Sequence, residues 1–112
     1  MQNETFKALD NKLGDYGIYR YLDISTGHIT KNDADALKEH CGVRGAYLIG
    51  TYDEGWVLSI SETDDYEGDE TFVDCYSPEF YHVLDYARLQ GCCLLRFDAD
   101  GMEFPDFPTF EW

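Results

Sequence analysis

The chain has 112 residues, with 23 Asp and Glu against 8 Lys and Arg, a formal net charge of −15. This length suits one hydrophobic core, and an apolar fraction of 44% with 16% aromatic residues excludes a disordered acidic chain, which would lack the Tyr, Phe and Trp found here. So strong a negative field opposes contact with DNA, RNA or an anionic membrane, and direct nucleic-acid binding is not expected. There is no run of 18 apolar residues and no apolar leader, so the expectation is no membrane contact and a cytoplasmic location.

In chain order, residues 5–13 are weakly patterned and suggest a helical turn or two, closed by the Gly14-Asp15-Tyr16-Gly17 cluster. Residues 18–25 alternate, with Ile18, Leu22 and Ile24 opposite Tyr19, Tyr21 and Asp23, which predicts a first strand. Thr30 and Asp33 have the spacing of a capping box and open a helix over residues 31–41, with Ala34, Leu37 and Cys41 on one face and Gly42 as its stop. Residues 46–52 and 56–61 read as a β-hairpin around Asp53-Glu54-Gly55. An acidic loop begins at residue 62, with a short extended piece at 71–75. Ser77-Pro78-Glu79 combines an N-cap, a first-position proline and an early acid, so a helix should run to about Gln90, with Phe80, Val83, Leu84 and Ala87 inward and Gly91 ending it. Residues 92–97 form the last strand, and the aromatic tail Phe104, Phe107, Phe110 and Trp112 should fold back over the sheet.

The order strand, helix, strand, strand, helix, strand predicts a single α+β domain over residues 1–112. Its expected form is a two-layer sandwich, an antiparallel sheet of about four strands with two helices on one face in ferredoxin-like order. Cys41, Cys75, Cys92 and Cys93 read as buried free thiols, because a chain this rich in core residues needs no disulfide framework.

The charge is unevenly placed. Residues 1–44 carry 7 acids and 6 bases, whereas residues 45–87 carry 11 acids and no Lys or Arg. An ordinary soluble surface intersperses the two signs, so 43 residues without a base mark one face for use. Two segments, Leu22-Asp23-Ile24-Ser25-Thr26-Gly27-His28-Ile29-Thr30 and Phe97-Asp98-Ala99-Asp100-Gly101 running on to Pro108-Thr109-Phe110-Glu111-Trp112, resemble a family of small uncharacterised acidic proteins encoded on phages and plasmids. The resemblance implies a mobile-element context, similar in character to antirestriction and anti-CRISPR inhibitors, and supplies no catalytic residue.

In that context a folded array of carboxylates can occupy a Lys/Arg-lined nucleic-acid channel. Alternate strand residues lie about 6.6 Å apart and i,i+4 helix residues about 6 Å apart, near two steps of about 3.4 Å along a DNA strand. The candidate partner-binding residues are Asp53, Glu54, Glu62, Asp64, Asp65, Glu67, Asp69, Glu70 and Asp74, with Glu79 and Asp85 extending the surface. The expected partner is a basic nucleic-acid-binding host defence protein, a CRISPR effector complex or a restriction enzyme. The alternative is a protein–protein adaptor or homodimer whose acids only confer solubility.

Chemistry has less to stand on. Asp98, Asp100 and Glu103 hold a fragment of EF-hand spacing without its remaining ligands, and read as a turn with Asx-type bonds. His28, His40 and His82 with the cysteines form no metal-ligand spacing, and no phosphate-binding glycine loop is present. No enzymatic activity, metal or cofactor is expected, and the Ser25-Thr26-Gly27-His28 stretch reads as turn chemistry.

Overall fold

A computed structural model describes residues 19–61 and 74–112. The helical turns expected over residues 5–13 and most of the acidic loop lie outside the described residues. The elements are β1 (Tyr21–Ser25), a 3₁₀ turn (Thr26–His28), α1 (Lys31–Lys38), β2 (Ala46–Tyr52), β3 (Gly55–Ile60), α2 (Pro78–Leu89) and β4 (Leu94–Asp98). The expected α+β class and element order are observed.

The sheet runs β1-β4-β3-β2. The hairpin pair and the β3/β4 pair are antiparallel, as expected, whereas β1 and β4 pair in parallel, so the sheet is mixed. The reason lies at the end of α2. Gly91 turns the chain with a φ of +76°, and the Cys93 N–H donates to Arg20 O, which starts β4 beside the start of β1 and in the same direction. A parallel neighbour needs a long crossover, and the rest of the domain serves as that crossover.

Register places Leu22, Leu95, Leu58 and Leu48 in one row across the sheet and Ile24, Phe97, Trp56 and Thr51 in another. The centre of these rows, Ile24, Trp56, Leu58, Leu95 and Phe97, is buried beneath the helices. Phe80 of α2 stacks on Phe97 with centroids 5.6 Å apart, and Tyr76 stacks on Phe80 at 4.3 Å. Both phenylalanines are fully buried, a stabilisation of about 1.5–3 kcal/mol each relative to exposure. Val83, Leu84 and Ala87 complete the apolar face of α2, and Ala34 and Leu37 that of α1.

The two helices start from one buried carboxylate. The Asp33 N–H donates to Thr30 Oγ1 and the Thr30 N–H to Asp33 Oδ2, so the capping box is present. Asp33 then reaches across to α2: the Ser77 N–H donates to its Oδ1 at 2.8 Å and the Ser77 hydroxyl to its Oδ2 at 2.6 Å, while Ser77 Oγ accepts from the Phe80 N–H as N-cap. A negative charge at two helix N-termini meets the positive ends of both dipoles.

α1 ends earlier than the spacing predicts. It stops at Lys38, and His40, not Gly42, takes the left-handed conformation with a φ of +57°. The Cys41 N–H donates to Ala36 O in the manner of a Schellman turn. This reversal sets Cys41 beside Cys75, and the two form a disulfide across 34 residues of sequence. The free-thiol expectation is corrected for this pair; Cys92 and Cys93 are free thiols. At the same junction the Tyr76 hydroxyl donates to Cys41 O at 2.7 Å, and Ser77, two residues beyond Cys75, is bonded to Asp33.

The tail also departs from expectation. Phe107 packs against His28, His82 and Tyr86 of the helical layer instead of the sheet. His28, 1% exposed, holds it there: Nδ1 bonds Pro108 O at 2.8 Å and Nε2 accepts from the Phe104 N–H at 2.9 Å, a pairing that the neutral ring makes with its proton on Nδ1. The expected Asx turn is present, with the Asp100 N–H donating to Asp98 Oδ1.

Two glycines sit where no side chain fits. A Cβ on Gly55 would lie 1.7 Å from Phe97 O, and one on Gly101 would lie 2.5 Å from Ile24 O, both against backbone. Gly55→Ala and Gly101→Ala should each cost about 2 kcal/mol or more, while Gly50→Ala, whose nearest contact would be Val57 Cβ at 3.8 Å, should melt like the parent in a thermal scan. Asp33→Ala strips three donors of their acceptor and should cost about 3 kcal/mol in denaturant titration, more than Thr30→Ala, a single cap loss of about 1 kcal/mol.

Candidate functional site

At the hairpin end of the sheet the chain encloses a cleft of about 580 Å³. Its floor is the β2–β3 turn, from Thr51 through Asp53 and Glu54 to Trp56. Its other walls are Lys38 and His40 from the end of α1, Thr26, Ala99 and Trp112. The early stop of α1 and the left-handed His40 place the helix end here. Trp112 is held by its own indole, which donates to Ile29 O at 2.9 Å, and the Phe110 N–H donates to Gly27 O, so the tail closes one side.

The charges around the cleft are unspent. The ion pairs among the described residues are Arg88–Asp85 and Arg96–Asp23, both elsewhere, leaving Asp53, Glu54 and Lys38 exposed and unpaired. The Ala99 N–H donates to Glu54 O, which draws the turn carrying Asp98 and Asp100 against the hairpin. The Tyr52 hydroxyl donates to Asp98 Oδ2, and this bond, followed by the Asp100 N–H, holds the Asp98 carboxyl below the usual carboxylate range. Four acids, Asp53, Glu54, Asp98 and Asp100, thus collect at one end of the molecule against Lys38.

Asp74, grouped with Asp53 and Glu54 by sequence, is instead tied in just before the start of α2. Its Oδ1 accepts from the Tyr81 hydroxyl at 2.8 Å and from the Tyr76 N–H at 3.2 Å, and Tyr81 in turn accepts from the Arg44 N–H just before β2. Glu62, Asp64, Asp65, Glu67, Asp69 and Glu70 lie outside the described residues. Of the nine candidates, the structure brings together Asp53 and Glu54 and sets Asp74 apart.

Sequence reasoning missed the other cleft residues. Lys38, His40, Trp56 and Trp112 are far apart in the chain, and neither spacing nor motif links them. Among the described residues no three His, Cys, Asp or Glu side chains cluster as metal ligands, and no helix is long and apolar enough to cross a membrane.

The outer sheet face is separate. There Arg96 pairs with Asp23 through two bonds of 2.8 and 3.2 Å and lies over the Tyr21 ring, while Tyr19, Tyr21, Tyr47 and Ile49 are exposed.

The fold defines a small acidic α+β domain with an open cleft at the hairpin end of its sheet. Residues 21–112 match the family of unknown function DUF5983, C-terminal domain, and the chain belongs to that family; the match begins at the first residue of β1. The chain matches no curated protein and no solved structure.

Alkaline titration reports on two of the tyrosines. Partial burial, then the bond to Asp98, pushes Tyr52 up to about 12, and burial, then the charges of Asp33 and Asp74, pushes Tyr76 to about 12. The unfolded chain releases these protons near pH 10 and the folded one holds them, so stability falls as pH rises from about 10 to 12. Tyrosinate absorbance of the native protein should lag behind that of the denatured protein, and Tyr76→Phe should shorten the lag.

Proposed function

We propose that this protein is a non-enzymatic inhibitor that binds the positively charged nucleic-acid-binding surface of a host defence complex and keeps nucleic acid out. The target class is a CRISPR effector complex or a restriction enzyme, met in the cytoplasm of a bacterium carrying a phage or plasmid. The observation that carries this reading is the base-free run of 11 acids over residues 45–87. It is supported by the gathering of Asp53, Glu54, Asp98 and Asp100 at one end of a rigid sheet. Counterion release from Lys and Arg gives such a surface affinity for a channel that normally holds phosphates. In a reducing cytoplasm Cys41 and Cys75 are expected to be reduced, and Asp33, Tyr76 and Tyr81 hold the same junction by hydrogen bonds.

The exposed tyrosines of the outer face favour a second reading, an adaptor or homodimer in which the acids only keep the protein soluble.

A purified defence complex should bind target DNA less tightly in the presence of this protein, and the effect should weaken as salt rises. Unchanged DNA binding across the salt range overturns the proposal, and a salt-insensitive dimer in solution favours the second reading. Replacing Asp64→Lys, Asp65→Lys, Glu67→Lys and Asp69→Lys together should weaken inhibition by about tenfold or more in a variant that melts like the parent.

A further inference from the structure

We infer that the cleft at the hairpin end is a socket for an arginine side chain of the basic partner. The inference rests on the reading that the partner presents a basic surface, and it adds a site and a chemistry to it. Three features converge. The cleft, at about 580 Å³, has the size of a small-ligand site and exceeds what one guanidinium and its stem require. Its lining carries the exposed rings of Tyr52 and Trp112, side chains on which a planar guanidinium stacks with its charge over the ring face, with the buried Trp56 beneath. Its floor carries the Asp53 and Glu54 carboxylates, exposed and unspent, which match the paired N–H groups of a guanidinium. An anionic ligand would meet Asp53 and Glu54 unpaired, with Asp98 and Asp100 on the neighbouring turn.

Lys38 gives the site a signature of sign. It lines the same cleft, so its ammonium opposes an incoming cation that Asp53 and Glu54 attract. Removing it should tighten cation binding, while removing Asp53 or Glu54 should loosen it. A purely structural role for these exposed residues would move neither.

Both tryptophans of the chain, Trp56 and Trp112, line the cleft, so intrinsic fluorescence reads its occupancy directly. Titration of the intact protein with N-acetyl-arginine amide should give a saturable change with a dissociation constant on the order of 1 mM. The Asp53→Asn, Glu54→Gln double variant should bind about tenfold more weakly or worse, and Lys38→Gln more tightly. N-acetyl-glutamate amide should give no saturable change. Absence of saturation with the arginine probe, an equal response to the glutamate probe, or indifference to the double variant overturns the socket. No defence complex enters this assay, so its failure leaves the inhibitor reading to the DNA competition; loss of competition with probe binding intact removes that reading and leaves the socket.

Discussion

Asp33 is an ionisable side chain with no exposure, placed where two helices begin. Burying a carboxylate is costly unless both its oxygens find donors, and here three donors from Thr30 and Ser77 supply them. The consequence reaches through the fold. Because Ser77 is fixed on α1, α2 starts beside it, Cys75 arrives at Cys41, and Phe80 lands on Phe97. The course of α2 then decides where Gly91 reverses the chain and so where β4 enters the sheet. The parallel β1/β4 pair thus lies at the far end of the helix whose start Asp33 holds.

The same placement organises the cleft. β4 ends beside the β2–β3 turn, and Gly55, with no room for a side chain, lets the two backbones meet. The turn after β4 bonds the hairpin through Ala99 and Glu54, while the tail returns to Gly27, His28 and Ile29. Lys38 and His40 come from the early end of α1, where His40 turns the chain, and Trp112 comes from a tail latched by His28. Acids that are ordinary surface residues in isolation become one rim because rigid elements deliver them there.

Much of this was legible beforehand where the signal was local. The capping box at Thr30 and Asp33, the N-cap and proline at Ser77 and Pro78, the Gly91 stop and the Asp53–Glu54 hairpin turn each depend on residues within four positions of one another, so spacing reveals them. The inward face of α2 follows from helical periodicity alone. What spacing could not show was partnership. Asp33 reads as a cap for α1 and serves α2 as well; Asp74 reads as a member of an acidic run and is bonded to Tyr76 and Tyr81; Cys41 and Cys75 read as core thiols and are bonded to each other.

By itself the sequence determined the class of the fold, its element order and the presence of a large uncompensated negative charge, because composition and short-range periodicity carry those properties. Only the tertiary structure decided the strand order, the disulfide and which of the described acids are bonded and which stand exposed at the cleft. Those depend on contacts between residues tens of positions apart, formed by packing and by the need to satisfy a buried charge, and no local pattern records them.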